Sequence, residues 1–100
     1  MVNKMGMIIA EIQRLQQEFK KKTVEVVEGE GTFRIIMNGH QEVLEAKFDP
    51  SVLNPANLDA LEVMVCSAVN RVIAESKSMV KSEIAKITGG MGLSNIQGLF

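Results

Sequence analysis

The chain has no tryptophan and no tyrosine, and its 100 residues include four phenylalanines, one cysteine, one histidine and two prolines. Each shortage closes off a class of function. So few rings leave few platforms for unstacked bases, which makes a duplex a better nucleic-acid partner than a single strand. A lone Cys66 excludes an intrachain disulfide framework and fits a reducing cytoplasm. His40 stands by a turn without nearby cysteine, so no metal site is expected. No apolar run reaches the roughly 18 residues of a membrane span. The N-terminal apolar residues are interrupted by Glu11, Gln13 and Arg14 within a helical period, which is not the pattern of a signal peptide. A chain of this length fits one domain with a modest core, which oligomerisation would help.

An excess of positive charge is missing too. The net charge is −1 and the pI about 5.8, which argues against nucleic-acid binding by bulk charge. The average hides a segregation. Residues 1–24 hold five cations against two acids, net +3; residues 25–66 hold two against eight, net −6; residues 67–100 hold four against two, net +2. The reversal is sharpest at EFKKKTVEVVEGEG, where Lys20, Lys21 and Lys22 stand just before Glu25, Glu28 and Glu30.

Met5, Ile8, Ile12, Leu15 and Phe19 are spaced 3, 4, 3, 4, the rhythm of a helix that packs along a narrow seam. This predicts a helix over residues 3–22, weakened in its first turn by Gly6. From Thr23 the pattern turns β-branched and alternating, and it predicts strands over about 23–28, 32–38 and 42–49. Phe33, Ile35 and Met37 share one face of the second, and Leu44, Ala46 and Phe48 oppose Val43, Glu45, Lys47 and Asp49 in the third. Asn38-Gly39 is a hairpin signal between them. The strands read as an antiparallel meander with one polar, acid-rich face. Asn54-Pro55 then reads as an N-cap with proline at the first helical position, opening a long helix over 55–87 that Gly89-Gly90 ends. Its first half, LDALEVMVCSAV, is apolar almost all round and reads as core, which would make Cys66 an inert buried thiol. ESKS is a point where the helix could bend.

The order is α-β-β-β-α, an α+β fold with a three-stranded antiparallel sheet. A helix over 55–87 would be about 50 Å long, too long for a 100-residue globule with a radius of gyration of about 13 Å. Its second half should project as an arm, with the N-terminal helix beside it. The basic segments then fall on the arm and the acidic segment on the sheet. The tail after the helix, GGMGLSNIQGLF at 89–100, has glycines that favour flexibility. Leu93, Ile96, Leu99 and Phe100 also suit docking, and both readings stay open.

Catalytic chemistry finds no support. GEGTFR lacks the third glycine of a dinucleotide loop and precedes a strand rather than a helix. Glu42 and Glu45 lie on strand surface with no histidine or nucleophile near in sequence, so no enzyme is expected. No cofactor, small-molecule substrate or membrane partner is expected either.

The run GEGTFRIIMNGHQEVLEAKFDPSVL, followed by LDALEVMVCSAVNRV and a Gly-Met-rich tail ending in phenylalanine, resembles the YbaB/EbfC family of bacterial nucleoid-associated proteins. The matching features are Gly29 and Gly31 before an alternating strand, Asn38-Gly39 in the turn, Asp49-Pro50 with Leu53 after it, and Ala68 with Asn70 in the long helix. The resemblance implies a tweezer-like homodimer that grips double-stranded DNA with projecting helices and with weak sequence preference, in the cytoplasmic nucleoid. Two departures make this arm more basic. Asn70-Arg71-Val72 stands where the family commonly has Asn-Asp-Ala, and Lys20–Lys22 stand where many members carry acidic or neutral residues. The candidate DNA-binding residues are Arg14, Lys20, Lys21, Lys22, Arg71, Lys77 and Lys81.

Each candidate also has a plainer reading. Lysines closing a helix complement its macrodipole and cap its carbonyls, and Lys77 with Lys81, four apart on one face, suits any solvated helix. The acidic sheet face would repel DNA toward the arms, or simply keep the protein soluble. A different class of function, a protein-binding or chaperone-like scaffold, would use the cleft between arms and the apolar tail. Charge reversal at Lys77 and Lys81 separates the two, because only DNA binding should suffer.

Overall fold

Alternation in the chain's middle third builds an antiparallel meander in the order β1-β2-β3, from β1 (Thr23–Glu28), β2 (Phe33–Asn38) and β3 (Val43–Phe48). It is flanked by helices α1 (Lys4–Phe19) and α2 (Leu58–Met91). The computed structural model describes residues 4–91, and the side chains of residues 5–86. The tail from residue 92 onward lies outside the described residues.

Phe33, Ile35 and Met37 all face inward, as period-two alternation requires. Together with Val26 they are buried against Ala68 and Val72 of α2. Phe48 stacks on Phe33 across the strand pair, with ring centroids 4.6 Å apart. The alternation expected in β3 breaks at its start. Ile36 pairs with Glu45 but Met37 pairs with Val43, so a bulge takes up Leu44. Val43, expected to share a face with Glu45, thus lies opposite buried Met37.

The connection to α2 is capped twice. The Asp49 carboxylate accepts the Ser51 N–H at 2.9 Å, and backbone hydrogen bonding at Ser51 holds its pKa below the usual aspartate value. Asn54 accepts the Ala56 N–H at 2.9 Å. Pro55 follows the Asn54 cap as expected, but it opens a 3-10 turn, Pro55–Asn57, ahead of α2 proper. At the far end α2 runs through Gly89-Gly90 to Met91 rather than stopping before them. ESKS lies within this continuous helix.

The molecule measures 66 × 20 × 17 Å with a radius of gyration of 18.0 Å, well above the roughly 13 Å of a compact chain of this length. The excess is the arm. Leu15 and Phe19 of α1 form a second core with Val80 and Ile84 of α2, separate from the sheet core.

One expectation reverses. The first half of α2 was read as core, yet Leu58 and Val63 are 57% and 70% exposed and Cys66 is exposed. The helix lies across β1 and β2. With β3 left uncovered, an all-round apolar helix can bury only the stripe that meets the other two strands.

Candidate nucleic-acid interface

Seven cations were expected to serve DNA, and the structure sorts them by what else they hold. Arg14 is taken on both sides within its own helix. Its Nη2 lies 2.7 Å from Glu11 Oε2, and Nη1 bonds Glu18. The hydrogen bond between Arg14 and Glu11 lowers the Glu11 pKa and raises that of Arg14. Arg71 pairs with Glu28 at the end of β1, which also accepts from Ser67 Oγ. It ties the helix to the sheet. Lys22 reaches across the arm to Glu83 on α2, at 3.0 Å.

Lys20, Lys21, Lys77 and Lys81 remain. All four are exposed, and among the described residues none makes an ion pair. Lys77 and Lys81 project from the same side of α2, about 6 Å apart along its axis.

The lysine run does not sit in a last helical turn. α1 ends at Phe19, and Lys20–Lys22 form the link into β1. Nor do their ammonium groups cap the helix, because the turn between β2 and β3 does so with its backbone and amides. The Gly39 N–H donates to the carbonyls of Phe19 at 2.7 Å and Lys22 at 3.1 Å. Asn38 Nδ2 donates to the Lys20 carbonyl at 3.3 Å, and His40 Nε2–H to the Gln16 carbonyl at 2.6 Å. Carbonyl satisfaction at a helix end is obligatory. Met here by the turn, it leaves the Lys20 and Lys21 side chains uncommitted.

The same turn grips α2. Ser76 Oγ, fully buried, donates to the Asn38 carbonyl at 2.7 Å and accepts from Gln41 Nε2 at 2.9 Å. Asn38 Oδ1 in turn accepts the backbone N–H groups of His40 and Glu42. Asn38-Gly39 lies in the turn of the β2–β3 hairpin, as its sequence signalled. The left-handed residue is Gln41, with φ 59°, and Gly39 is required because a Cβ there would lie 2.7 Å from Phe19 Cβ. The turn is a clasp joining α1, the sheet and α2 at the root of the arm.

Sequence reasoning missed two residues of this region. Glu83 was legible only as a local partner of Lys86, three residues on, whereas its link to Lys22 spans the fold. Ser76 shows in the sequence only as a small polar residue within ESKS; its contact with the turn needed the packing.

A three-stranded sheet crossed by a long helix, with a two-helix arm at one end, defines a small α+β protein. The chain belongs to the YbaB/EbfC DNA-binding family, which it matches over residues 1–91. It is 37% identical over 93 residues to a nucleoid-associated protein of Moorella thermoacetica, covering 93% of this chain and 89% of that one. It is 39% identical to nucleoid-associated protein Teth514_0034 of Thermoanaerobacter sp. strain X514, covering 90% and 78%. The crystal structure of uncharacterized protein HP0035 from Helicobacter pylori superposes with a TM-score of 0.61 over 82% of both chains at 21% identity, a likeness of fold. The family is one of nucleoid-associated DNA-binding proteins, not of enzymes. Among the described residues, no helix is long and apolar enough to cross a membrane.

Proposed function

We propose that the protein is a homodimer of the bacterial nucleoid that binds duplex DNA through backbone phosphates, with little reading of base sequence. The observation that carries this is the sorting of cations on the arm: Lys20, Lys21, Lys77 and Lys81 are held neither by a carboxylate nor by capping duty. Arginine makes the commonest specific contact to a base edge, and every arginine is engaged: Arg14 by Glu11 and Glu18, Arg34 by Glu25 and Glu45, Arg71 by Glu28. Exposed lysine point charges suit phosphates, which position a protein without specifying sequence.

The dimer reading is supported by uncovered apolar side chains. Val43 and Leu44 in β3, Leu53 in the connection, and Leu58 and Val63 in α2 are all at least half exposed. β3 is an edge strand with a partner on one side only. Exposed apolar side chains and an unpaired strand edge are what a second copy would cover.

The test is fluorescence anisotropy of a labelled random-sequence duplex titrated with protein at several salt concentrations, with mass checked by light scattering. Binding that weakens linearly in log salt is expected, with a slope of about 0.9 per phosphate neutralised. Replacing Lys20, Lys21, Lys77 and Lys81 by glutamine should remove most of that slope. No binding at low salt would sink the DNA reading and turn attention to a protein scaffold, whose partner charge reversal at Lys77 and Lys81 would leave bound.

A further inference from the structure

Among the described residues, Glu83 is the most enclosed of the helix acids that make ion pairs. Its side chain is 22% exposed, against 38% for Glu11 and 42% for Glu18. It lies on α2 beside Ile84, which packs in the seam against α1, and a single oxygen, Oε1, gathers two ammonium groups. Lys22 Nζ, from the link after α1, is 3.0 Å away, and Lys86 Nζ, from the next turn of α2, is 3.3 Å away. Hydrogen bonds from Lys22 and then Lys86 hold its pKa below the usual glutamate value, so the carboxylate is charged wherever the protein would meet DNA. Lys22 directly follows the unpaired Lys20 and Lys21, so the carboxylate withholds one member of a cluster whose other two members are free. Each of these two ammonium groups can make the same charge-assisted hydrogen bond with a backbone phosphate oxygen of its own.

We infer that Glu83 stands in for a DNA phosphate in the free protein and sets how many cations the arm offers the duplex. With Glu83 in place the arm presents four free lysines among the described residues, and Lys22 and Lys86 are withheld. Removing its charge adds both. Glu83 is a positioning residue, acting on DNA only through these two lysines, and it keeps the affinity of a basic arm low enough for release. This rests on the phosphate-binding reading above.

The experiment uses the full chain and a labelled random-sequence duplex between 50 and 200 mM NaCl, for wild type, Glu83→Gln, Glu75→Gln and the double variant Lys22→Gln/Glu83→Gln. Glu75→Gln is the control, because it makes the same charge change on the same helix at an exposed acid with no ion pair among the described residues. Glu83→Gln should steepen the slope of log affinity against log salt by about 1.8, two phosphates at 0.9 each, so that the ratio of affinities at 50 and 200 mM grows about tenfold. Glu75→Gln should leave the slope unchanged, and adding Lys22→Gln should return about half the gain. A Glu83→Gln slope equal to wild type, or a gain matched by Glu75→Gln, overturns the inference while leaving DNA binding intact. If neither wild type nor Glu83→Gln binds at 50 mM, the phosphate reading itself fails and takes this inference with it. Circular dichroism on each variant separates loss of fold from loss of contact, since lost helix removes binding at every salt rather than changing a slope.

Discussion

Replacing Gly39 by alanine should loosen the arm from the body, and the structure fixes how much. The added Cβ would lie 2.7 Å from Phe19 Cβ and 2.9 Å from the Phe19 carbonyl oxygen, where ordinary contacts begin at about 3.4 Å. The turn must therefore retreat by more than half an ångström. That retreat stretches the 2.7 Å hydrogen bond from the Gly39 N–H to Phe19, and the loss of one such bond costs about 1 kcal/mol. Overpacking adds about 1–3 kcal/mol, for a total of about 2–4 kcal/mol. At 4–8 °C per kcal/mol for a domain of this size, Tm should fall by about 8–32 °C, measured by circular dichroism at one fixed protein concentration because the stability of the proposed dimer would depend on concentration. Hydrogen exchange should accelerate first at the amides near the end of α1. A Tm change below about 2 °C would refute the claim that this glycine is required by close approach.

Three further outcomes follow from named contacts. Phe19→Ala empties the seam between α1 and α2, where Phe19 is 2% exposed, and should cost about 3–5 kcal/mol in denaturant unfolding; a loss under 1 kcal/mol would mean that the seam does not hold the arm. Glu11, Asp49 and Glu83 all have folded pKa values below their usual range. Their stabilisation is therefore complete above the unfolded carboxylate values near 4 and is lost as pH falls through the lower folded values. Tm should drop on acidification below about pH 4.5, less steeply in Glu83→Gln, and parallel curves would remove the ion pair from the account. Val63→Glu, at a position 70% exposed in the single chain, should leave the protomer folded but shift light scattering from dimer to monomer, with faster alkylation of Cys66; an unchanged mass would place the dimer contact elsewhere.

Local rules made much of this protein legible before any coordinates. Period-two alternation named Phe33, Ile35 and Met37 as one buried face, and the 3-4 spacing placed the end of α1 in a seam, where Leu15 and Phe19 are buried, although Met5 at its start is exposed. Length alone required a projecting arm, since a helix of about 50 Å does not fit a globule of 100 residues. These conclusions depend on intervals along one segment, and intervals are what a sequence records.

Tertiary structure decided what each side chain is free to do. Charge segregation put cations on the arm, but only contacts between distant segments show that Arg71 is tied to Glu28 and Lys22 to Glu83, while Lys20, Lys21, Lys77 and Lys81 stay open. Asn38-Gly39 announced a turn without revealing that the turn would cap α1 and grip Ser76. LDALEVMVCSAV looked like core because hydropathy reports the preference of a surface and not which surface meets it. α2 lies across β1 and β2 only, so part of that apolar surface stays exposed.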